Sequence, residues 1–82
     1  MHNRVLRLLP ALDKTGEKRS SFYAKVKAGL MPPAVRLGVR SVGWVEREVD
    51  AVIAARIAGK GDDEVRELVR ELVASRREAT TP

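Results

Sequence analysis

Nucleophilic and metal chemistry need clusters of imidazole, thiol or carboxylate groups, and this sequence has few places to build one. Its 82 residues include one histidine, His2, and no cysteine. That excludes disulfides, thiolate zinc sites, thiol nucleophiles and any site built on two imidazoles. Gly59-Lys60-Gly61 superficially resembles part of a phosphate loop. Glycine follows the lysine where Ser or Thr belongs, however, and Ala54 stands where the first glycine should be, so the segment reads as a hinge between helices. Asp62-Asp63-Glu64 are three adjacent carboxylates. At the opening of a helix they are explained by capping and by the helix dipole rather than by a metal. No catalytic residue, metal or cofactor is expected, and the chain reads as a protein that is not an enzyme.

Positive charge and hydrogen-bond donors are plentiful instead. Sixteen Lys/Arg against eleven Asp/Glu give a net charge of +5, which suits a polyanionic partner. The excess is local: residues 1–60 carry twelve basic and five acidic side chains, whereas residues 61–82 carry four and six. Lys18, Arg19, Ser20, Ser21, Lys25 and Lys27 crowd donors onto one short segment, and Arg36 and Arg40 follow. An arginine can reach guanine O6 and N7 bidentately, serine hydroxyls suit bases or phosphates, and lysines neutralise phosphates. The Tyr23 ring either helps close the fold or lends its hydroxyl to a phosphate. The bland alternative for the whole set is a solvated basic face.

The elements that must position these residues follow from local pattern. Arg4 to Leu8 alternates polar and apolar, which predicts a short strand leading into a brief helix from about Leu9 to Lys14. Pro10 suits its first turn and Gly16 its close. Lys18 to Ala28 predicts a second helix, with Phe22 and Val26 on one face and Gly29 at its end. Two short helices around a turn form a helix-turn-helix, which places the donor-rich segment on its second helix. Pro32-Pro33 forces an extended exit. Val35-Arg36-Leu37 and Val42-Gly43-Trp44 then predict a hairpin whose apolar face covers the helices, with Arg36 on the opposite face and Arg40 near the tip. Val45, Val49, Val52, Ile53 and Ile57 predict a third helix, and Asp62 an N-cap for a fourth, whose last turn holds Arg76 and Arg77. Phe22 and Trp44 are expected in the core.

The fold class expected is mainly α with a small β-hairpin wing: a winged helix-turn-helix plus a C-terminal amphipathic helix. The expected division is a DNA-binding domain over 1–60, then 61–82 as that helix with a frayed tail, Ala79 to Pro82. The stripe Val65, Leu68, Val69, Leu72 and Val73 is too short for a sustained coiled coil. It predicts self-association through a short antiparallel helix pair or a DNA-assisted contact. The alternatives are that the stripe packs back on its own domain, or that the chain is an interaction adaptor working through it. No apolar run approaches the roughly 20 residues of a membrane span. With no cysteine and no signal-peptide pattern, a cytoplasmic, nucleoid-associated protein is expected.

The blocks Thr15-Gly16-Glu17-Lys18-Arg19-Ser20-Ser21-Phe22-Tyr23, Lys27 to Pro32, Val35-Arg36-Leu37-Gly38, Ser41-Val42-Gly43-Trp44 and Glu48-Val49-Asp50 occur in that order. Over about Leu6 to Ala58 the chain thereby resembles the AlpA family of prophage-type regulators, similar to excisionases and to the DNA-binding part of MerR proteins. The resemblance implies a winged helix-turn-helix that binds double-stranded DNA of a mobile element. It would act as a transcriptional regulator, as a recombination directionality factor, or as both, with RNA polymerase or an integrase as protein partner. It places the DNA-reading segment at Arg19, Ser20 and Ser21 and basic wing residues at Arg36 and Arg40. Two positions depart from the family pattern: Glu17-Lys18 replaces the usual Leu-Ser, so a lysine stands where a serine caps the reading helix, and Val45 replaces the proline after the tryptophan.

Overall fold

A computed structural model describes residues 4–76. His2, Arg77 and the expected frayed tail lie outside the described residues. The chain runs β1 (Val5–Leu6), α1 (Leu8–Thr15), α2 (Arg19–Lys27), β2 (Val35–Arg36), β3 (Val42–Val45), α3 (Glu46–Ile57) and α4 (Asp62–Ala74). The predicted wing hairpin is present, and it belongs to a larger unit. β1 joins it to make a three-stranded antiparallel sheet in the order β1-β3-β2.

Glycines terminate the helices as the sequence predicts. Gly29 takes φ +79, with its N–H donated to Val26 O at 3.2 Å and that of Leu30 to Lys25 O at 2.8 Å. Gly59, at φ +85, repeats the pattern: its N–H meets Arg56 O, and that of Lys60 meets Ala55 O, both at 3.0 Å. This paired closure needs a left-handed residue, which glycine adopts without steric cost. Pro10 is the third residue of α1, where its missing N–H removes no helical bond.

One core serves the whole described chain. Leu6, Ala11, Phe22, Met31, Trp44, Val49, Val52, Val65 and Val69 are buried in it, with Leu68, Leu72 and Val73 packed against it. Phe22 and Trp44 meet edge to face, ring centroids 5.0 Å apart. Their burial matches expectation. Ile57, expected on the core stripe of α3, is 82% exposed. α3 ends there, so the position projects past the packed part of the stripe.

Two further observations bear on the expectations. The stripe on α4, expected to mediate self-association, is occupied by the chain's own domain: Val65 and Val69 are core residues, and Leu68, Leu72 and Val73 pack on that core. The division at residue 60 therefore separates no independent core. Arg36 was expected opposite the apolar face of the hairpin. The register pairs Arg36 with Val42 and Val35 with Gly43, so Arg36 shares a sheet face with Val42 and Trp44. At Gly43 a Cβ would lie 2.5 Å from Val5 Cγ1 and 2.9 Å from Leu6 O. Only glycine lets β1 lie this close.

α4 is also tied to the rest by polar bonds. Arg76 donates from Nε to Glu48 Oε2 at 2.9 Å and from Nη2 to Glu48 Oε1 at 2.6 Å, and Nη2 also donates to Pro33 O at 2.8 Å. Glu48 is only 1% exposed. The hydrogen bond to Glu48 holds the Arg76 pKa above its ordinary value. Because that shift is upward, the contribution of the Arg76 charge is complete below the normal arginine range and is lost only as the pH rises into strong alkali. Arg66 donates to Ala28 O at 3.0 Å, closing the C-terminus of α2. Asp62, expected as the N-cap of α4, is its first helical residue and pairs with Arg56 at 2.9 Å; Gly61 is the N-cap.

Candidate nucleic-acid interface

α1 and α2 are joined by the three-residue turn Gly16-Glu17-Lys18. Thr15 orders it: Oγ1 donates to Ala11 O at 3.0 Å and accepts the Glu17 N–H at 3.3 Å. α1 is fixed against α3 by Lys14, whose Nζ lies 2.8 Å from Asp50 Oδ1 and 2.9 Å from Glu46 Oε2. Those bonds, first to Asp50 and then to Glu46, raise the Lys14 pKa.

α2 presents Lys18 as its N-cap, then Arg19, Ser20, Ser21 and Lys27, all exposed. Lys18 makes no side-chain cap bond, as its chemistry requires. Phe22 turns inward and Tyr23 is 45% exposed, its ring 6.1 Å from both Phe22 and Trp44. Tyr23 thus packs on the aromatic core while keeping a surface. Lys25 behaves differently from the expectation: it is half-buried and ion-paired with Glu17 of the turn, so its charge is already answered.

On the wing, Arg36 and Arg40 are exposed, and Val39 at the tip is 90% exposed. The tip is closed by bonds from Leu37 N–H and Gly38 N–H to Ser41 O at 2.8 and 3.3 Å. Arg40 and Arg19 line one open groove of about 370 Å³, together with Arg7, Leu8, Leu9, Pro10, Val42 and Trp44. Sequence reasoning missed Arg7, reading it only as a polar position in an alternating strand. Its signal was its place: it is the N-cap of α1, where arginine cannot cap.

The first turns of α1 and α2 contain no acidic residue, whereas α3 opens with Glu46 and Glu48 and α4 with Asp62, Asp63 and Glu64. The positive ends of α1 and α2 are thus left uncompensated beside the exposed basic residues. Among the described residues no group of three or more His, Cys, Asp or Glu could hold a metal, and no helix is long and apolar enough to cross a membrane.

A helix-turn-helix whose second helix lies beside a hairpin extending from a small antiparallel sheet defines a winged helix-turn-helix protein. Residues 4–57 match the family model of the prophage CP4-57 regulatory protein (AlpA). The chain belongs to the AlpA family. It is 40% identical over 57 residues to "Uncharacterized protein ORF88" of Enterobacteria phage P4, covering 70% of this chain and 65% of that protein. It is 36% identical over 59 residues to the "DNA-binding transcriptional activator AlpA" of Escherichia coli (strain K12), covering 65% of this chain and 84% of that one. The chain thus spans a little under two thirds of the length of the phage relative. No solved structure is a significant match.

Proposed function

We propose that this protein binds duplex DNA selectively through α2 and the β2–β3 wing, and regulates transcription within a mobile genetic element. The observation that carries this reading is how the cations divide. Among the described residues, Arg4, Lys14, Lys25, Arg56, Lys60, Arg66, Arg70 and Arg76 each pair with a carboxylate. Arg7, Lys18, Arg19, Lys27, Arg36 and Arg40 pair with none, and these lie on the helix-turn-helix and the wing. Arg47 on α3 is the other cation without a partner. Charges that fold stability does not use, gathered on the motif that enters a groove, suit a phosphate backbone.

The activator role named for the Escherichia coli relative supports a transcriptional reading, with RNA polymerase as the partner. The adaptor alternative loses support, because Val65 and Val69 of the α4 stripe it would use are buried in the domain's own core and Leu68, Leu72 and Val73 pack against it. An excision factor working with an integrase differs in what it covers on DNA. Protection mapping on the DNA around the protein's own gene separates the roles: a compact footprint within a promoter is expected. A run of adjacent protected sites beside an integrase crossover would assign recombination directionality in its place, and no protection on any of this DNA would count against both.

A further inference from the structure

We propose that Arg7, Arg19 and Arg40 form a single seat for one backbone phosphodiester of DNA, between the wing and the reading helix. The inference rests on the DNA-binding reading and deepens it. The three guanidinium groups come from three places in the fold: the N-cap of α1, the first residue of α2 and the tip of the β2–β3 hairpin. All three line the same groove, no carboxylate lines it with them, and none has a carboxylate partner among the described residues. Like charges brought together with no counter-charge repel one another, and an oxyanion between them relieves that repulsion.

The walls favour the same ligand. The other lining residues are Leu8, Leu9, Pro10, Val42 and Trp44, so the groove offers no competing acceptor side chain. Apolar walls lower the local dielectric and strengthen the attraction. Guanidinium groups offer planar pairs of donors matched to phosphate oxygens. The amides at the start of α1 have no side-chain cap and no acid beside them, and add to the positive potential.

This changes the role of Arg19. An arginine converging with two others from separate elements holds the backbone, and selectivity passes to exposed α2 side chains outside the groove, Ser20 and Ser21 among them. Arg7 becomes a DNA contact that the helix-turn-helix pattern does not include.

The test uses the full chain with Arg7→Gln, Arg19→Gln and Arg40→Gln. All three side chains are exposed and unpaired, so each variant should melt with the parent. Each is expected to weaken binding to the best protected site and to a random duplex by the same factor, about tenfold at fixed salt, leaving their ratio unchanged. Ethylation interference identifies the phosphate. Neutralising one particular phosphate should impair the parent and cease to matter in all three variants. The seat is overturned if the variants lose sensitivity at different phosphates, if interference is unchanged, or if Arg19→Gln collapses the ratio of specific to random binding, which would make Arg19 a base reader. A parent that binds no duplex overturns the DNA-binding reading as well, which distinguishes the two failures. Titration with inorganic phosphate, followed at the indole N–H of the only tryptophan, covers the other source of the same chemistry. A shift in the parent that Arg7→Gln abolishes, without duplex binding, would assign the groove to a free phosphate and overturn the backbone assignment.

Discussion

A chain ending at residue 60 will not fold into a stable winged helix-turn-helix, although the family match ends at residue 57. Truncation removes Val65 and Val69 from the core, each worth about 1.5–3 kcal/mol of burial. It also removes Arg76, the ion-pair partner of Glu48. The Arg66 bond that closes α2 at Ala28 is lost too. Against a total stability of about 5–15 kcal/mol for a domain, and less for a small one, these losses suffice to unfold the truncated chain. Circular dichroism should show no cooperative melt for residues 1–60 where the full chain gives one. A truncated chain melting within a few degrees of the parent would show that α4 is an appendage.

The second large effect concerns the bridge itself. Arg76→Met keeps the stem that packs along the surface and deletes both bonds to Glu48. The expected loss is about 3 kcal/mol, the low end of the range for a broken buried pair, because the Arg76 side chain is 23% exposed and water can partly reach the vacated site. For a chain of this size that is a fall in Tm of roughly 12–24 °C. Glu48→Met alone should cost less, since it leaves only the better-solvated partner unpaired. The double variant Glu48→Met/Arg76→Met should recover most of the loss, because apolar replacement of a whole ion pair is often neutral. Thermal melts of the three variants decide the matter. If Arg76→Met melts with the parent, the bridge does not hold α4 to the wing's root.

Much of this architecture is legible in the sequence, for identifiable reasons. Gly16, Gly29 and Gly59 mark helix ends because the closing geometry favours glycine, and Phe22 and Trp44 declare themselves as core because so small a domain has few large side chains to bury. What escapes is pairing at long range. The stripe on α4 shows that the helix faces something apolar, and the same periodicity serves a partner copy or the chain's own core, so the pattern alone could not choose between them. The face of Arg36 depends on a register one residue from its alternative, and strands of two and four residues with Gly43 opposite Val35 supply little alternation to fix it. Lys25 is answered by Glu17 from eight positions away across a turn, a spacing that helix charge rules do not cover. Glu48 and Arg76 are 28 residues apart, and neither residue type foretells burial.

The candidate site follows the same division. Local chemistry puts Arg19, Ser20, Ser21 and Lys27 on one exposed helix and Arg40 at the wing tip, and the structure keeps them exposed. Convergence of Arg7, Arg19 and Arg40 on one groove is a property of the tertiary fold. No window of sequence contains it, because the residues come from α1, α2 and the wing.

The affinity of the full chain for duplex DNA as a function of salt tests DNA binding by this face most directly. Among the described residues, Arg7, Lys18, Arg19, Lys27, Arg36 and Arg40 have no carboxylate partner, and about five or six charges displacing counterions imply a slope of log K against log salt near −4.5 to −5.4. A fluorescence-anisotropy titration from low to physiological salt should give a steep straight line with that slope. An affinity independent of salt, or no affinity for any duplex, would contradict the claim that this face of the protein holds DNA.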